Sequence, residues 1–168
     1  MLVGTAIRSQ VILGAKERKK MATNAVAIPR GAVATSFWQS AVVVLGRFFF
    51  AVIFVMAGSN HFSKQTIAFS ASQGVPLASI AVPLSGVLAI AGGLSILLGY
   101  RAKLGAWLIV LFLIPVTLMM HKFWTVTDPM MAQLQMILFM KNVSMLGGAL
   151  LISQFGAGPF SLDARRSR

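Results

Sequence analysis

From Gln133 to Ile152 the chain is a largely apolar run of about 20 residues, interrupted near its middle by Lys141-Asn142 and then by Gly147-Gly148. That length is one bilayer crossing as a helix, and a charge at its centre costs roughly 2.5–3.5 kcal/mol. Whatever stabilises Lys141 is therefore a functional question. Similar apolar runs begin near Trp38, Ser79 and Leu104. The expected spans are about 38–58, 79–98, 104–120 and 133–152. Such a chain folds as an all-α integral membrane protein, an antiparallel four-transmembrane-helix bundle.

Composition agrees: 57% of residues are hydrophobic and 11% charged, against about 25% charged in soluble domains. The 168 residues leave room for one membrane domain, about 37–156, between a basic N-terminal tail, 1–36, and a short basic C-terminal tail, 157–168. The formal charge of +12 does not indicate nucleic acid, because Lys and Arg are spread over tails and short loops. Most lie in the N-terminal tail, at Arg101 and Lys103, and at Arg165, Arg166 and Arg168, whereas the opposite side holds Lys64 and Lys122. The positive-inside rule then makes both termini cytoplasmic. His61, His121 and Trp124 fall at the outer interface. The stretch Leu2 to Ala15 is weakly apolar and precedes the charges, unlike a cleaved signal. The tail reads as a disordered cytoplasmic segment, with an extension upstream of a start at Met21, or an organelle presequence, as alternatives.

Between the first two spans, Phe62, Ile67 and Phe69 alternate with polar residues up to Gly74-Val75-Pro76, a pattern suited to a short helix lying at the interface. Pro115 removes a backbone donor inside the third span. Ala81, Ser85, Ala89 and Gly93 form a small-residue stripe for close packing, and Ser144 with Gly148 begins another.

The chain has no cysteine and three acidic residues, Glu17, Asp128 and Asp163, none in a strongly apolar run. It has no paired carboxylates and no self-sufficient catalytic constellation, so a redox role would need a borrowed cofactor. Two histidines are too few to name a metal. Arg47 and Lys141 lie near the middles of the antiparallel first and fourth spans and therefore at similar depth. They either lock packing through carbonyls, Asn142 and Ser144, or form a site for negative charge or carbonyl oxygens: a quinone head group, a lipid phosphate or a small oxyanion. At the outer interface, Trp124 and Phe123 suit an aromatic belt. His61 and His121 suit a quinone entry point, because a neutral imidazole can hydrogen-bond a quinone oxygen.

The order of several short motifs resembles the DoxX family of small bacterial membrane proteins. They are Arg47-Phe48-Phe49-Phe50, His61-Phe62, Gly74-Val75-Pro76, Gly92-Gly93, Arg101, His121-Lys122-Phe123-Trp124, Phe139-Met140-Lys141-Asn142, Gly147-Gly148 and Ser161-Leu162-Asp163. The resemblance covers about residues 42–163. It implies a multi-pass bacterial inner-membrane protein that serves as the membrane-embedded partner, or the quinone-interacting subunit, of a redox or oxidative-stress assembly. Any enzyme activity would then be that of a quinone-linked oxidoreductase subunit. Ala89 stands where many such relatives carry Glu. The alternatives are a purely structural assembly subunit without ligand, and a small anion or lipid transporter. Membrane lipid, a quinone and a redox protein are the expected partners.

Overall fold

The computed structural model describes residues 36–166; the expected tail character of residues 1–35 lies outside the described residues, as do residues 167–168. Four membrane-length helices follow one another: α1 (Phe37–Asn60), α3 (Ala78–Leu98), α4 (Ala102–Met120) and α5 (Pro129–Phe155). Short helices α2 (Lys64–Ser72) and α6 (Leu162–Arg166) and a 3-10 turn (Phe123–Thr125) complete the chain. The described residues are all-helical, and the four long helices are apolar enough to cross a bilayer. The fold is that of an all-α integral membrane protein.

Local chemistry sets the helix ends. Ser36 opens α1 with a capping box: its hydroxyl accepts from the Gln39 amide at 3.3 Å, and the Gln39 side chain accepts from the Ser36 amide at 2.9 Å. These bonds satisfy amides that have no partner inside the helix. Ser63 caps α2 and Asp128 caps α5, where Pro129 occupies the first turn that tolerates it. Helix α3 ends at Gly99 in the left-handed region, φ 64°, with the Tyr100 amide returning to the Ser95 carbonyl at 3.0 Å.

Helix α3 lies between α1 and α4, and α4 packs in turn on α5. Water drives no association in lipid, so close approach has to hold the helices together. Two glycine crossings allow it. A Cβ on Gly58 would stand 2.9 Å from the Gly86 carbonyl, and one on Gly92 would stand 2.8 Å from the Gly105 carbonyl. The Gly92-Gly93 pair thus serves both neighbours of α3, since Gly93 faces Ala51 of α1. Between α1 and α5 the spacer is the Phe50 ring, seated over Gly148. Phe54, Ile96, Ile109 and Leu113 are the largest fully buried side chains.

Of the expected small-residue stripe on α3, Ala89 and Gly93 are buried against α1, whereas Ser85 and Ala81, one and two turns nearer the start, border a cavity. On α5, Ser144 is exposed rather than packed.

Candidate functional site

The two ends of the bundle are built differently. At one end, called here the histidine end, α1 finishes at His61 and α4 at His121. Helix α2 leaves the α1 terminus, and Gln73, which caps its C-terminal end, is held from the other side: the Lys122 ammonium donates to the Gln73 carbonyl at 3.1 Å. Under α2, between the first half of α3 and the second half of α4, lies a cavity of about 590 Å³. Both histidines line it. Most other lining groups are apolar, including Leu88, Phe112, Pro115 and Met119. Leu84 and Leu111 are lining residues that are also exposed on the outside of the bundle, so the cavity opens toward lipid.

Hydrogen bonds determine what the two imidazoles can offer. The Ser85 hydroxyl gives its one proton to the Val82 carbonyl at 2.7 Å, so its oxygen must accept from His61 Nδ1–H at 2.8 Å. Likewise His121 Nδ1 lies 2.9 Å from the Gln135 side-chain oxygen, which can only accept. In each neutral ring the remaining nitrogen, Nε2, then carries a lone pair and no hydrogen. Burial pushes His61 below its ordinary 6.5, opposed in part by the Val82 carbonyl. The ring is thereby kept neutral. The Phe112 ring stands 5.6 Å from the His61 ring and gives the cavity an aromatic wall.

At the opposite, basic end, the chain after α5 folds back instead of trailing away. Asp163 receives the Arg101 amide at 2.7 Å and the Ala102 amide at 3.0 Å, capping α4 from 61 positions along the chain. Its own amide returns to Gly99 at 2.8 Å. Arg47 reaches this fold-back from inside α1 and donates through Nη2 to the Phe160 carbonyl at 2.9 Å. It is buried, and its Nε and Nη1 have no partner among the described residues.

The residues singled out from sequence are therefore distributed as follows. His61 and His121 share one cavity. Trp124 is exposed beside it, edge-on to Phe123 and Phe139, and does not line it. Arg47 is bound to the C-terminal fold-back, Asn142 is buried and Lys141 is exposed, so the structure joins no two of these in one site. Ser85 and Gln135, which fix the histidine tautomers, are missed by the sequence reading because a serine in a small-residue stripe reads as packing. The polarity of Ser85 within an otherwise Ala/Gly stripe is the signal available.

The sequence pattern of the SURF4 family matches residues 67–168. The inner membrane protein YphA of Escherichia coli (strain K12) is 29% identical over 129 residues, covering 74% of this chain and 89% of that protein. No solved structure matches the chain. These matches correct the resemblance to DoxX, since neither is a DoxX protein. Glycine pairs, interfacial aromatics and a basic residue after a span serve any small four-helix membrane protein, and so they do not separate families. The chain belongs to the SURF4 family and is a multi-pass protein of the inner membrane.

Proposed function

We propose that this protein binds a small lipophilic molecule at the histidine end, one whose polar head donates hydrogen bonds from hydroxyl groups, with a quinol as the leading member of that class. The observation that carries the reading is the pair of imidazoles bordering one apolar cavity with both Nδ1–H groups already committed to Ser85 and Gln135. Two Nε2 lone pairs accept hydroxyl hydrogens; facing a quinone carbonyl, acceptor would meet acceptor. The quinone-class ligand expected from sequence is thus retained in its reduced form. Its attachment site moves from the Arg47 and Lys141 region to the histidine end. The lipid-facing mouth lets such a molecule enter from the bilayer without crossing water.

Each hydrogen bond contributes about 0.5–1.5 kcal/mol net, so the pair favours quinol over quinone by about fivefold to 150-fold. Binding of a short-chain quinol and of its quinone to the protein in lipid nanodiscs tests the reading. Saturable quinol binding, weakened by His61→Leu and by His121→Leu, is expected. Absence of binding by either form would return the chain to the class of assembly subunits without ligand.

A further inference from the structure

Helix α5 is the least covered of the long helices: 17% of its apolar window is buried inside the bundle, against 39% for the span containing α4. Along its outer side lie Ile137, Lys141, Ser144, Gly147 and Leu151, all exposed and spaced by three and four. That spacing puts them on one face. A Cβ on Gly147 would meet nothing within 4 Å. The face therefore combines a charge, a hydroxyl and an open backbone in a position where lipid alone would favour apolar side chains.

Depth makes the charge informative. Lys141 stands twelve residues after Pro129 and fourteen before Phe155, about 18 Å and 21 Å along the axis. It is close to the middle of a layer about 30 Å thick, and four methylenes do not carry its ammonium to the phosphates on either side. No hydrogen bond or ion pair holds it among the described residues. Among the described residues no carboxylate stands at that depth. Asp128 and Asp163 cap helix ends, and Glu17 lies in a charged stretch next to Arg18. A second copy docked in parallel on the same face would bring lysine toward lysine and no acid.

We propose that the Lys141 face of α5 is the docking surface for a transmembrane helix of another protein that carries an Asp or Glu near its middle. Ser144 and Gly147 let the partner backbone come close, as small residues do between membrane helices. Lys141 supplies the complementary charge, whose pairing inside the bilayer relieves the cost of leaving it unpartnered. The requirement for an acid at matching depth selects the partner, since a helix lacking it would leave the lysine in hydrocarbon.

The test uses the full chain in nanodiscs and a labelled Leu/Ala membrane-spanning peptide of about 23 residues bearing one central Asp, compared with the same peptide bearing Leu. The expected result is association of the Asp peptide at least about tenfold tighter than that of the Leu peptide. Lys141→Leu should erase the difference. Gly147→Leu should weaken Asp-peptide association while leaving the thermal midpoint unchanged, because that side chain points away from the bundle. Equal association of the two peptides would overturn the proposal. So would self-association of the chain that is lost in Lys141→Leu, which would assign the face to a second copy. A photocrosslinker in place of Ser144, used in native membranes, gives an independent reading: the captured segment must contain an Asp or Glu near mid-span, and capture of segments without one would also overturn the proposal.

Discussion

At the basic end, the loop after α3, the start of α4 and the fold-back after α5 lie so close that a Cβ on Gly99 would strike Arg47 and Ser161. Arg101 and Phe160 are held at positive φ, 48° and 51°, a conformation that costs side-chain-bearing residues about 1–2 kcal/mol each. At the histidine end, three helices surround about 590 Å³ of open space. The difference follows from where the carboxylates went. Both acidic residues within the described chain serve as helix caps, Asp128 on α5 and Asp163 on α4. Acid chemistry is used up in satisfying backbone amides, and the two imidazoles border open space instead. One end is closed by packing, and the other encloses the cavity on which the proposed ligand binding rests.

The strongest test of that contrast is Gly99→Ala. It adds both a left-handed penalty and a collision with Arg47 and Ser161, and should cost about 3 kcal/mol or more, read as a large drop in thermal midpoint in detergent. Asp163→Ala should cost about 2 kcal/mol by removing a two-oxygen cap, and Asp163→Asn less, because an amide keeps one acceptor. Neither should alter quinol affinity once the protein is folded. If Asp163→Ala instead abolishes binding in folded protein, the two ends are coupled and the contrast fails.

At the other end the expected signs reverse. His61→Leu and His121→Leu should each lower quinol binding by up to about tenfold, with a thermal midpoint close to that of the parent. A collapse in stability as large as that of Gly99→Ala would make the histidines structural.

Acidification sharpens the same point. Protonation puts a hydrogen on Nε2 and removes the acceptor, so quinol binding should hold above the ordinary imidazole value of 6.5 and weaken below it as His61 titrates through its depressed value. In that window the unfolded chain binds a proton that the folded chain refuses, so stability should also fall as pH drops below 6.5, and His61 should contribute no slope above it. The smallest effect belongs to Gly46→Ala. A Cβ there meets nothing within 4 Å, and the change should be neutral or stabilising by up to about 1 kcal/mol. A marked loss there would mean that this face of α1 is covered.

The sequence alone determined the four spans, because a bilayer admits a backbone only where about 20 consecutive residues are apolar and all their amides are bonded within the helix. The helix starts at Ser63 and Asp128 are equally local, set by side chains three residues from their targets. The short helix α2 after the first span is likewise legible in the run from Phe62 to Phe69 and its stop at Gly74-Val75-Pro76. Tertiary structure alone decided what the scarce polar groups do. Arg47 meets its carbonyl 113 positions away, His61 meets Ser85 24 positions away, and Asp163 caps a helix begun 61 positions earlier. Lys141 and Arg47, equal in depth by counting residues, part company because one points into the fold-back and the other out of the bundle. Residue spacing records depth along a helix, but azimuth and partner depend on how the helices cross. Here those crossings are governed by the glycine contacts Gly58 with Gly86 and Gly92 with Gly105.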